Sequence, residues 1–105
     1  MGFFSESHLD INVQSKVWQE NHDGILLDVR TPAEFGAGHI PGSINLPLDE
    51  LEAVTELYPE KGIKLLVYCL SGGRSGNAVM QLKKMGYEHA TNIGGISDYT
   101  GALEV

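Results

Sequence analysis

Two stretches, ILLDV at residues 25–29 and LLVY at residues 65–68, are apolar on nearly every position rather than on alternate ones. Strands read this way when both faces of their sheet are covered. Weaker strand patterns occupy residues 43–46 and 90–93, and a short first strand is expected near Ile11. Helix-like segments separate these runs, and that alternation predicts an α/β domain with a mostly parallel sheet.

The helix signals are local. Thr31-Pro32-Ala33-Glu34 has capping-box spacing with proline at the first helical position, so a short helix is expected at once after the strand ending near Val29. Gly36 and Gly38 are expected to stop it. Residues 48–58 carry Leu51, Val54 and Tyr58 on one face and end before Pro59. Over residues 73–85, Ala78, Val79, Leu82 and Met85 form an apolar stripe. Lys83 and Lys84 fall in its last turn and Gly86 follows as a left-handed cap. Trp18 and Val17 read as the packing face of a first helix.

Charge and length narrow the function classes. At 105 residues the chain reads as one domain with one core. A net charge of -7 with only 7 Lys and Arg excludes a nucleic-acid surface and disfavours an anionic membrane. An anion site would therefore have to be built locally, from backbone N–H groups and a nearby cation. His8, His22, His39 and His89 are scattered and Cys69 is the only cysteine, so neither a metal site nor an internal disulfide is expected. The start MGFFSESHLD has no basic region and no long apolar run, and Glu6 stands where a myristoylation signal wants Ser or Thr. A cytoplasmic, reducing setting is the expectation.

The candidate chemistry lies in YCLSGGRSGNA. Cys69 ends a buried strand, Arg74 begins the next helix, and Leu70, Ser71, Gly72 and Gly73 lie between them. Open parallel sheets place ligand sites at this junction. The glycines let the N–H groups of the loop curl towards one point. An ordinary thiol of pKa about 8.5 is about 3% thiolate at pH 7, and lowering it to about 7 takes roughly 2 kcal/mol. A helix terminus supplies about 0.3–1 kcal/mol. The loop N–H groups and Arg74 are expected to supply the rest. A lone cysteine is more often a small buried hydrophobe, but a core position has no need of the glycines, serines and arginine beside it.

These residues resemble the active-site loop of rhodanese-like sulfurtransferases, which often reads C-x-x-G-x-R-S, here Cys69, Gly72, Arg74 and Ser75. LLDVRTPAEFGAGHIPGSINLPL at residues 26–48 and NIGGISDY at residues 92–99 are similar to the family's other blocks, so the likeness spans residues 11–103. The resemblance implies a three-layer α/β/α sandwich with a five-stranded, mainly parallel sheet, needing no cofactor. It implies a Cys69 persulfide that takes sulfur from a small anionic donor such as thiosulfate. The acceptor would be cyanide or a thiol: glutathione, a thioredoxin-like protein or a carrier protein. Arg74 would orient the donor's anionic end, Leu70 would form the lip, and Ser71 and Ser75 would add hydroxyl donors. Ser75 has a second role open to it, capping the helix.

Related phosphatases and arsenate reductases place five residues between cysteine and arginine. Here there are four, and Tyr68 replaces their usual histidine, which by resemblance favours sulfur over phosphorus. A sulfur-carrier module serving a partner protein uses the same cysteine and remains the alternative. A non-catalytic regulatory domain is disfavoured by the complete loop. Asp28 and Arg30 read as an ion pair supporting the loop, and His39 as a structural donor rather than a general base. Gly94 and Gly95 read as a turn before a last helix, with close approach by the neighbouring loop as the alternative. Tyr99 stands where the family usually has Trp.

Overall fold

A computed structural model describes residues 10–105; the readings made on residues 1–9, His8 among them, lie outside it. Four parallel strands form one sheet in the order β2-β1-β3-β4. They are β1 (Ile25–Asp28), β2 (Ile44–Asn45), β3 (Leu65–Cys69) and β4 (Ala90–Gly95). The helices are α1 (Ile11–Asn21), α2 (Pro32–Ala37), α3 (Val54–Leu57) and α4 (Gly73–Lys84).

Side chains alternate across a strand, so the two consecutive apolar runs feed two separate cores. Leu27, Leu65, Val67 and Cys69 face one way and pack with Ala78 and Leu82 of α4, Val54 of α3 and Leu51. Leu26, Leu66 and Tyr68 face the other way and pack with Ile11 and Trp18 of α1. Helices on both faces make the α/β/α sandwich that the resemblance implied. The described residues hold four strands rather than five.

The expected strand near Ile11 is instead the first turn of α1. The Asp10 carboxylate accepts the Asn12 N–H at 2.7 Å, capping a helix whose buried positions Ile11, Ser15 and Trp18 recur at helical spacing. The single apolar residue at position 11 could not signal this alone. Residues 48–58 also differ from one continuous helix. A 3₁₀ stretch, Leu48–Ala53, bends at Glu50 (φ −119°, ψ 20°) before α3. The kink still buries Leu51 and Val54 on the sheet.

Gly38 alone ends α2, since the helix runs through Gly36 to Ala37. Thr31 and Glu34 form both halves of the capping box on α2, and Gly86 follows α4 at φ +104°. Val17 is exposed while Trp18 is buried, so only Trp18 packs; its indole N–H donates to the Gly24 carbonyl at 2.9 Å. Gly42 has φ +89°, and a Cβ there would lie 2.8 Å from the Trp18 ring. A Gly42→Ala substitution therefore meets both backbone strain and a clash. It should lower stability by about 1–3 kcal/mol, seen as a lower urea midpoint at constant slope.

Candidate active site

Cys69 stands at the carboxyl end of β3, between β1 and β4, with 1% of its surface exposed. The chain then turns through Leu70 and Ser71 to Gly72, whose φ of +102° suits glycine and starts α4. This turn brings the Gly72 N–H to 3.0 Å from Sγ and the Ser75 hydroxyl to 3.3 Å. Burial is the largest influence on the thiol and pushes it up. It is outweighed by the Ser75 hydroxyl and by the N–H groups of Ser75, Gly72 and Ser71, so the Cys69 pKa lies below its ordinary value. Hydroxyl and N–H donors thus favour the thiolate form as preorganised donors favour an oxyanion.

Two sequence expectations change here. Ser75 does not cap α4: the N-cap is Gly72 and no side chain caps that end. The Ser75 hydroxyl is buried, with the sulfur as one partner and Asn92 Oδ1, at 2.7 Å, as another. Arg74 directs both terminal nitrogens at Glu34, Nη1 to Oε1 at 2.8 Å and Nη2 to Oε2 at 3.0 Å. The hydroxyl and N–H donors are the largest lowering influences on Cys69, and Arg74, although held by a carboxylate, is coupled to the sulfur through its charge as well.

The remaining loop positions also have definite places. Leu70 is half-exposed at the lip, and its carbonyl accepts the Ser97 N–H at 3.0 Å. Ser71 and Gly73 face solvent. Gly94 and Gly95 are the end of β4, paired with Tyr68 and Cys69, rather than only a turn. A Cβ on Gly95 would run into the Leu70 carbonyl and Ser71 Cα, so close approach by the neighbouring loop is the reason for glycine there.

Asp28 and Arg30 are buried and paired with each other. Arg30 Nη2 lies 2.7 Å from Asp28 Oδ2 and also donates to the Gly38 carbonyl at 2.8 Å. They tie the end of β1 to the end of α2. His39 stacks on Phe35 at 3.7 Å, donates from Nδ1 to the Phe35 carbonyl and lies 3.5 Å from Glu104. Those contacts connect α2 with the C-terminal segment and include no loop residue. No cluster of metal-ligating side chains occurs among the described residues.

Two residues here escaped the sequence reading. Asn92 donates Nδ2 to the Gly72 carbonyl at 3.1 Å and accepts the Gly94 N–H at 3.0 Å, bracing the loop on β4. Its signal was an amide side chain in a short strand, next to Thr91 and shortly before two glycines. The register of β3 with β4 skips Ile93 between Asn92 and Gly94, a bulge of the kind found beside active sites. Glu34 was read as a capping residue within the block at residues 26–48, without its ion pair, because its partner lies 40 positions away.

A parallel sheet that ends in a cysteine with hydroxyl and N–H donors around its sulfur defines a protein equipped for cysteine-based group transfer. The rhodanese-like domain family matches residues 13–102, and the chain belongs to that family. It is 41% identical over 73 residues to thiosulfate sulfurtransferase PspE of Escherichia coli (strain K12), covering 69% of this chain and 70% of that protein. It is 33% identical to thiosulfate:glutathione sulfurtransferase of Saccharomyces cerevisiae, covering 86% of this chain and 79% of that one. The solved rhodanese with anions from E. coli superposes with a TM-score of 0.70 at 37% identity, covering 76% of this chain and 95% of that one. Across curated relatives the chain spans from 21% to 82% of the relative's length. No helix among the described residues is long and apolar enough to cross a membrane.

Two outcomes follow from this geometry. Removing the Ser75 hydroxyl removes a donor to the sulfur, so Ser75→Ala should move the midpoint of Cys69 alkylation to higher pH. At neutral pH the rate should fall roughly three- to tenfold, measured with iodoacetamide across a pH series. The second concerns Glu34, whose carboxyl is lowered from 4.5 to about 2, chiefly by the Arg74 hydrogen bonds and then by the Thr31 N–H. A carboxyl depressed on folding adds stability that is present above about 4.5 and is lost as pH falls towards about 2. Glu34→Gln should therefore show a shallower loss of stability over that window in acid titrations of urea unfolding.

Proposed function

We propose that this protein is a sulfurtransferase that moves sulfane sulfur from thiosulfate to a thiol or to cyanide through a Cys69 persulfide. The observation that carries the reading is the Cys69 sulfur at 3.0 Å from the Gly72 N–H and 3.3 Å from the Ser75 hydroxyl. In the first half-reaction the thiolate attacks the outer sulfur of thiosulfate. The Sγ–S bond forms as the donor's S–S bond breaks, and sulfite leaves with the electron pair. The terminal sulfur then carries the negative charge, and the donors of the loop face it as they faced the thiolate. In the second half-reaction cyanide or an acceptor thiolate attacks that terminal sulfur and Cys69 leaves as thiolate. The product is thiocyanate or a new persulfide.

The donors around Cys69 lower its pKa and so favour the thiolate without a neighbouring general base. His39, bonded to Phe35 and facing Glu104, is read as structural. The Asp28–Arg30 pair is read as support for the strand ends. Glutathione is an acceptor consistent with the yeast relative named above.

The intact mass of reduced protein after brief incubation with thiosulfate tests the cycle. A gain of about 32 Da, absent in Cys69→Ser and removed by cyanide or glutathione, is the expected result. No gain in the wild type would exclude thiosulfate as donor, and a gain in the variant would exclude Cys69 as the carrier.

A further inference from the structure

Glu34 enters as the distal half of a capping box, yet three groups converge on its carboxylate. Oε1 accepts the Thr31 N–H at 3.0 Å, the Thr31 hydroxyl at 3.1 Å and Arg74 Nη1 at 2.8 Å, while Oε2 accepts Arg74 Nη2 at 3.0 Å. The cap thus fixes an anion at the start of α2, and that anion occupies both terminal nitrogens of the loop's cation. Both partners are about one-third exposed, so the pair sits at the protein's edge, within reach of a solute.

The nearest other cation, Arg30, is itself paired with Asp28, and the adjoining cavity adds none. A cavity of about 540 Å³ beside the loop is bordered by Arg74, with Asp49 and Glu52 as its other charged lining residues. The net charge of the chain is also negative. Meanwhile the largest lowering influences on the Cys69 thiol are uncharged donors, with charge coupling to Arg74 beside them, so the Glu34–Arg74 pair bears on an incoming anion as well as on the sulfur. A donor carrying two negative charges must displace Glu34 or share Arg74 with it, and a donor of lower charge meets less opposition.

We propose that Glu34 is a positioning residue that sets donor specificity: by holding and neutralising Arg74 it disfavours dianionic thiosulfate relative to singly charged or neutral sulfane-sulfur donors. The proposal deepens the sulfurtransferase reading and rests on it for the donor class. The charge effect on Cys69 can be measured without sulfur transfer.

Glu34→Gln tests it, because glutamine also serves at this capping position while removing the charge. The first readout is the ratio of Cys69 alkylation rates with iodoacetate, an anion, and iodoacetamide, which is neutral. Thiolate content cancels in that ratio. It should rise roughly three- to tenfold in the variant, as an unneutralised Arg74 draws the anion. The second readout is KM for thiosulfate, which should fall by a similar factor, and for methanethiosulfonate, which carries one charge and should fall less. An unchanged or smaller alkylation ratio overturns the proposal. A higher thiosulfate KM also overturns it, since Glu34 would then be aiming Arg74 at the donor. If the wild type takes sulfur from neither donor, the sulfurtransferase reading fails, and the alkylation ratio still decides whether Glu34 governs the charge at the sulfur.

Discussion

A cysteine at the buried end of a central strand is the constraint around which the loop is built. Burial alone opposes ionisation of Cys69, and a sheet core offers no water to offset it. The offset comes from N–H groups aimed by a turn that needs positive φ at Gly72, and from one hydroxyl a turn further along α4. The same carbon-poor positions that look dispensable in the sequence are therefore required. A side chain on Gly95 would push the loop off β4 and spoil the aim.

Around that cradle the protein uses paired polar groups to hold strand ends in place. Asn92 links the Gly72 carbonyl to the Gly94 N–H, so the loop and the β4 bulge move together. Asp28 and Arg30 do the corresponding work at the end of β1, with a further bond to Gly38. Tyr68 extends the network on the opposite sheet face: its hydroxyl accepts from the Ile40 N–H and bonds to Ser43. Burial pushes that phenol well above its ordinary pKa, so it remains a neutral structural partner beneath the site.

Arg74 shows how an active-site cation can be restrained by secondary structure. Its carboxylate partner is simultaneously the capping group of α2, so loosening one end of that helix would alter the charge beside the sulfur. The cysteine's largest supports are uncharged, so the Arg74–Glu34 pair adds to them through its net charge beside the sulfur.

Much of this was legible in the chain because it is encoded locally. Consecutive apolar residues at positions 25–27 and 65–68 showed strands covered on both faces, and the Thr31–Glu34 spacing showed a helix start. The C-L-S-G-G-R-S pattern placed the cysteine and its loop together because strand end, glycine turn and helix start are contiguous. What tertiary structure alone decided were contacts between distant positions: Glu34 with Arg74, Ser75 with Asn92, and Leu70 against Gly95. Ile11 belongs to the same group, since a lone apolar residue becomes helix or strand according to what caps and buries it. Sequence spacing specifies which backbone can form and which chemistry it carries. Which charge meets which is set only when parallel strands bring their ends together, because that pairing depends on angstrom-scale distances absent from any local pattern.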